Sequence, residues 1–260
     1  MRLNTVTIYG TGLIGGSLAL ALKRAFAGIH IAGVDNPDVL ERARRLKIID
    51  AAGLQQGSDL ILLAAPVGGI LKLLDQFHAT EALISDVGST KLAICNKAER
   101  LAIPFVGGHP MAGLEQSGPE AASADLFRNA PYFLCSVRST PDAAMQTMFE
   151  IASAIGAAPR EISPEDHDRL VARISHLPQI VSTVLAAHTS AHKDLAGPGL
   201  RSMTRLASSP FRIWRDIFRT SGFLPHELQI FIQQLQRILD SLEAGDFEEV
   251  EKLFKSGGSE

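Results

Sequence analysis

Residues 3–22 read "LNTVTIYGTGLIGGSLALAL". Leu3–Tyr9 has the apolar and β-branched content of a strand, and from Leu13 to Ala27 the pattern is helical. Between them lies Gly10-Thr11-Gly12-Leu13-Ile14-Gly15, a G-x-G-x-x-G turn joining a strand to a helix. Each glycine has a physical reason to be there. Gly10 permits the tight turn, Gly12 lets backbone approach a pyrophosphate, and Gly15 lets helix and strand pack closely. The helix start offers unpaired N–H groups and a positive dipole end. Asp35 closes the next strand, 20 residues after Gly15, where a carboxylate accepts from ribose hydroxyls and repels a 2′-phosphate. Asn36 follows it instead of an arginine, so NAD is expected over NADP.

Outward from this turn, short apolar runs alternate with helical segments. The expected strands are Leu3–Tyr9, His30–Val34, Leu60–Ala64, Ala82–Ser85, Ile103–Val106, Tyr132–Val137 and Ala158–Ile162. The helices between them are Leu13–Ala27, Pro37–Lys47, Val67–Phe77, Lys91–Leu101 and Pro141–Ile155. That alternation predicts an α/β Rossmann-type domain over residues 1–162, with a mainly parallel sheet. From Ser163 the chain reads as nearly all helix, so residues 163–260 are expected to form an all-α domain. Ser163-Pro164-Glu165-Asp166 is a strong helix start, and the helix from Pro164 to His192 should kink at Pro178. Pro225–Ala244 carries apolar residues at three- and four-residue steps. Its face is wide enough that the helical domain is expected to pair two subunits.

The totals exclude several classes. A hydrophobic share of 46%, a charged share of 20% and a net charge of −3 suit a globular protein with no bulk attraction for nucleic acid or acidic membranes. No run of about 18 apolar residues lacks a charge, so no membrane span is expected. Cys95 and Cys135 are expected as buried free thiols, and the chain as cytoplasmic. The first strand begins too early to leave room for a signal peptide.

In an open α/β sheet, ligands bind beyond the carboxyl ends of the strands. Ala65-Pro66-Val67 ends one strand in a small apolar turn that a dinucleotide could approach. Asp86-Val87-Gly88-Ser89-Thr90-Lys91 ends another. Gly108-His109-Pro110 reads as a loop leaving the strand Ile103–Val106. Ser89 and His109 thus emerge on the cofactor side. Oxidising an alcohol needs an acceptor for the hydroxyl proton, and a neutral imidazole suits that work. On the long helix, Asp168, Ala172, Ser175 and Gln179 fall on one stripe, expected to face a cleft. Leu170, Ile174, Leu177 and Val181 fall on the other side, expected in the core. His176 lies off the polar stripe and can reach a neighbouring helix. Arg201, Arg205, Arg212, Arg215 and Arg219 form a basic cluster, and an arginine beside a dinucleotide site suits a carboxylate.

Five stretches together, "GTGLIGGSLALAL", "DVGSTK", "GGHPMAGLEQSG", "HDRLVARISHLPQ" and "GPGLRSMTRLASSPFRIWRDI", resemble the prephenate/arogenate dehydrogenases of tyrosine biosynthesis, the TyrA family. They run from residue 10 to about residue 217 in the family's order. The resemblance implies an NAD-dependent oxidative decarboxylation of a cyclohexadiene. His109 is then the proton acceptor, Ser89 orients it and the hydroxyl, and Arg205 binds a substrate carboxylate. By the same resemblance Glu115, Asp168 and Trp214 belong to a polar network at the pocket mouth, and members of the family are dimeric. Several prephenate-preferring members carry a second histidine where this chain has Gln179, so prephenate and arogenate both remain open. No chain is left for a fused regulatory or mutase domain.

Two other readings compete. A β-hydroxyacid-dehydrogenase-like enzyme would put a catalytic lysine on the long helix, where only Lys193 stands just beyond its end. A non-enzymatic NAD-sensing module would need the glycine turn without His109, Ser89 and Arg205. No metal is expected.

Overall fold

The structure, a computed structural model, describes residues 3–258 apart from 79 and 115. Eight strands form one sheet: β1 (Thr5–Tyr9), β2 (His30–Val34), β3 (Ala51–Ala52), β4 (Leu60–Leu63), β5 (Leu83–Asp86), β6 (Phe105–Pro110), β7 (Pro131–Ser136) and β8 (Ala158–Glu161). Their spatial order is β3-β2-β1-β4-β5-β6-β7-β8. All neighbours are parallel except β6 and β7. The order reverses beside β1, which places a crevice at the end of the glycine turn.

The helices of this half are α1 (Leu13–Ala25), α2 (Pro37–Arg45), α3 (Val67–Leu73), α4 (Leu92–Arg100) and α5 (Asp142–Ala154). The alternation of side chains along the strands feeds two cores. Val6, Ile8, Leu60 and Leu62 join Leu18 and Leu22 of α1 on one face. Tyr9, Ile61, Leu63 and Ile84 join Ile70 of α3 and Ile94 of α4 on the other. With both faces covered, the strands read as continuous apolar runs, as in "LILL" of β4. The short edge strand β3 has no signal in the sequence: two alanines are too few to show a period.

From Ser163 the chain is helical: α6 (Pro164–Val171), α7 (Leu177–His188), α8 (Pro198–Thr204), α9 (Phe211–Thr220), α10 (Leu224–Ala244) and α11 (Glu248–Gly257). Ser163 caps α6, its hydroxyl accepting from the Asp166 N–H at 3.0 Å, a contact worth about 1 kcal/mol. The single kinked helix expected over Pro164–His192 is instead two helices joined by a π-turn, Ala172–His176. Pro178 has no N–H to donate, and the wide turn before it absorbs the lost bond.

The faces of this helix pair meet the expectation only in part, since Ser175, Leu170, Leu177 and Val181 are all half-buried. Asp168, Ala172 and Gln179 are buried, together with His167, His176 and Ser182. Of the apolar residues expected in the core, Ile174 is 50% exposed, and further along the helix Val184 is 62% exposed. An 18-residue window within helical segment Pro164–His188 is long and apolar enough to cross a membrane by length and composition, so the charge count did not exclude one there. Its apolarity belongs to the uncovered face, while its polar residues pack inward. On α10, Ile232, Leu235, Leu239 and Leu242 are likewise about half exposed.

Candidate active site

The glycine turn is shaped as its sequence implies. Gly10 has φ +91°, and a Cβ there would lie 2.3 Å from the Ala64 carbonyl oxygen. A Cβ on Gly12 would meet nothing within 4 Å, so the backbone there faces open space, as close approach by a phosphate requires. The Asp35 carboxylate is held beside the turn. It accepts from the Thr11 N–H at 2.7 Å and from the Asn36 N–H at 2.8 Å. Gly10 to Gly15 and Asp35 therefore fit a dinucleotide with free ribose hydroxyls. Ala65 and Pro66 precede α3, which Val67 opens. Asp216 of α9 reaches the start of that helix, accepting from the Gly68 N–H at 3.3 Å.

His109 is not in a loop. Gly107, Gly108, His109 and Pro110 continue β6, paired antiparallel with β7, and His109 sits opposite Phe133. Antiparallel partners tolerate glycine and a terminal proline when the free edge is otherwise satisfied. The side chain is 8% exposed. Its Nδ1 lies 2.9 Å from Nε2 of His167, whose own Nδ1 lies 2.8 Å from Oδ1 of Asp168. Asp168 also accepts from the N–H groups of Lys91 at 2.6 Å and Leu92 at 3.0 Å, so it caps α4.

These contacts set the tautomers. A carboxylate only accepts, so His167 donates from Nδ1. Its Nε2 then carries the lone pair and accepts from His109 Nδ1–H. His109 Nε2 is left as a base. Burial, with the neighbouring His167 and Lys91, pushes the His109 imidazole well below the usual histidine range. His167 is pushed the same way by burial, against the pull of Asp168. Both rings are therefore neutral near pH 7, as this donor chain requires.

Ser89 is half-buried between β5 and α4 and makes no hydrogen bond to His109; His167 fills the orienting role expected of it. Asp168 lies at 1% exposure inside the chain, not at a pocket mouth. Neither His167 nor Lys91 carries a sequence signal of its own. The signal for His167 is its place beside Asp168 in "HDRLV", which gains meaning only when α6 crosses the end of β6.

The helical half supplies a second wall. His176 bonds Ser221 Oγ through Nδ1 at 2.7 Å, and Trp214 stands edge-on to it at 6.0 Å. Gln179 donates to the Leu206 carbonyl at 2.9 Å, tying α7 to the turn that begins at Arg205. Three buried polar atoms on this wall, His176 Nε2, Gln179 Oε1 and Ser182 Oγ, have no partner. Such atoms are costly unless something meets them. Arg201, Arg205, Arg212, Arg215 and Arg219 are all exposed. Glu115 lies outside the described residues. Cys95 and Cys135 are buried free thiols. Among the described residues no cluster of metal-ligating side chains occurs. A hollow of about 840 Å³ between loop 54–59 and segment 76–82 contains none of these groups.

Comparison with known proteins agrees with this architecture. Residues 18–159 match the model for the prephenate dehydrogenase nucleotide-binding domain, and residues 163–256 that for the prephenate dehydrogenase dimerization domain. The chain is 34% identical to the prephenate dehydrogenase of Bacillus subtilis, over 97% of this chain and 74% of that protein. The prephenate dehydrogenase of A. aeolicus, solved with hydroxyphenyl propionate and NAD+, superposes with a TM-score of 0.91 at 26% identity, covering 98% of this chain and 96% of that one. The arogenate dehydrogenase of Synechocystis gives 0.82 at 30%, covering 97% and 96%. This chain belongs to the prephenate dehydrogenase family.

Proposed function

We propose that the chain oxidises prephenate to 4-hydroxyphenylpyruvate and carbon dioxide with NAD, and that arogenate, its amino-acid counterpart, is the second substrate to test. The observation that carries this reading is the donor chain from Asp168 through His167 to His109. It ends in a basic, uncharged Nε2 at the carboxyl end of β6. NAD, when bound, supplies the acceptor for the hydrogen leaving the ring carbon. Gly10, Thr11, Gly12, Leu13, Ile14 and Gly15 hold its pyrophosphate, Asp35 its ribose, and Ala65, Pro66 and Val67 the side of the crevice, with Ser89 at its inner end.

His109 Nε2 accepts the hydroxyl proton. The imidazolium so formed is stabilised through His167 by the Asp168 carboxylate, without that carboxylate becoming protonated. The ring carboxylate leaves as carbon dioxide, the electron pair of the broken C–C bond makes the ring aromatic, and the phenolate oxygen takes its proton back from His109, so positioning and one reversible proton acceptor are the main demands on the protein. Arg205 binds a substrate carboxylate. Gln179 and His176, each with an unpaired buried atom, face the polar end of the substrate.

The Rossmann half spans residues 1–162 and the helical half residues 163–260. The helical half pairs two copies through the apolar faces of α7 and α10. The buried thiols fit a cytoplasmic setting. The test is NADH formation with purified protein, using prephenate and arogenate, each with NAD and NADP. The reading requires turnover with prephenate and a preference for NAD. No turnover with either substrate overturns it.

A further inference from the structure

His109 stands on a strand that outruns its neighbour. The parallel pairing of β5 with β6 ends at Ser85 and Val106, so Gly108 has no strand partner on that side. Two side chains take the place of the missing ladder. Asp86 Oδ1 accepts from the Gly108 N–H at 3.1 Å, and Lys91 Nζ donates to the Gly108 carbonyl at 2.7 Å. Lys91 and Asp86 also pair directly, and both are 0% exposed. Asp86 Oδ2 accepts from the Gly88 N–H at 2.7 Å as well. The approach leaves no room: a Cβ on Gly108 would lie 2.4 Å from the Asp86 carbonyl oxygen. The backbone N–H of Lys91 meanwhile binds Asp168, the far end of the histidine chain. Lys91 therefore touches both ends of the unit that presents His109 Nε2.

Burying an ion pair is a poor way to gain stability, because desolvation offsets the attraction and apolar residues of the same size do as well. Its position gives it another use. We propose that the Asp86–Lys91 pair is a positioning element for His109: it completes the strand edge at Gly108 and balances the charge around the imidazole. The proposal rests on His109 being the base. The titratable groups that act on His109 itself are His167 from α6, His176 from the π-turn and Lys91 at the start of α4, while Asp86 at the end of β5 and Asp168 act on His167, one ring further along. Removing the Lys91 charge takes away a cation that acts on the ring, and removing the Asp86 charge leaves that cation without its counter-ion.

The experiment is the pH dependence of kcat/KM for the wild type, Lys91→Gln, Asp86→Asn, the double variant and His109→Asn. Asn keeps an acceptor for the Gly108 N–H while giving up the bond from Gly88, and Gln keeps a donor on a stem one atom shorter; both lose the charge. With Lys91→Gln, unpaired Asp86 favours the protonated ring, and the acid limb should rise by about one pH unit or more. With Asp86→Asn, the unpaired ammonium should move the limb down. The double variant should return it near the wild-type position. Limbs unmoved in both single variants, or moved in the same direction, overturn the proposal even if kcat falls. Should one single variant not fold, the other and the charge-neutral double variant decide. An acid limb that survives in His109→Asn defeats the base assignment itself. A limb lost there but unmoved in the charge variants defeats only the role of the pair.

Discussion

The two walls of the site are built in opposite ways. The sheet wall holds one connected polar unit within a single chain, with Ser85 Oγ beside it left unpaired. His109, His167, Asp168, Lys91 and Asp86 are all buried, and an unbroken set of hydrogen bonds runs through them to one open nitrogen. The helical wall is incomplete. It leaves three buried polar atoms without partners on one face and half-exposed leucines and isoleucines on the other. A wall that does the chemistry gains from being fixed before the substrate arrives. A wall that recognises substrate and partner keeps its polar and apolar groups unspent until they bind.

The comparison breaks most sharply at His109. His109→Asn keeps a hydrogen-bonding group but cannot take the proton, so kcat should fall about 10²–10⁴-fold with both ligands still bound. The wild-type acid limb of kcat/KM should lie below the usual histidine range, because burial holds the ring neutral into acid. A variant with near-normal kcat would move the chemistry off the sheet wall.

Next is the uncovered face. Ile232 and Leu235 are 53% and 54% exposed in the single chain. Placing glutamate at both should strand two charges in the contact between copies, at about 3–5 kcal/mol. Light scattering should then show a monomer where the wild type is a dimer at micromolar concentration. A monomeric wild type would show that this face is not waiting for a second copy.

Arg205→Ala sharpens the division of labour. Losing one charge-assisted carboxylate contact costs about 1.5–3 kcal/mol, roughly 10–150-fold, and should appear in the substrate KM with NAD binding nearly intact. A change in kcat alone would place Arg205 with the sheet wall instead.

The smallest effect concerns stability. Burial pushes His176 down from 6.5 to about 4. The unfolded chain therefore binds a proton that the folded chain refuses, and stability is lost as pH falls below about 6.5. The loss from this group reaches about 2 kcal/mol by pH 5. His176→Asn should flatten that part of the Tm-against-pH curve, and an unchanged slope would mean that the ring is not held neutral.

Much of the dinucleotide half was legible because its signals are local. A glycine turn between a strand and a helix, and an acid at the next strand end, need only a few neighbouring residues to be understood. Gly10, Gly12 and Asp35 stand in the structure as those patterns imply. His109 was legible as a residue but not in its setting. The glycines that argue for a loop are there because Asp86 and Lys91 approach the backbone from one side and β7 from the other. The long helix shows a related limit: periodicity finds two faces but cannot say how far each is covered, and here Asp168, Ala172 and Gln179 are buried while Ile174 is half exposed.

The sequence by itself determined the order of strands and helices apart from the short β3, the dinucleotide turn, the acid beside it and the identity of the candidate base, since each depends on residues within a turn or two. Only the tertiary structure decided what orients that base. His167 comes from a helix 58 residues further along the chain, and Lys91 from the start of another 18 residues before it. Hydrogen bonds of this kind depend on where elements cross, and no local pattern of residues encodes a crossing.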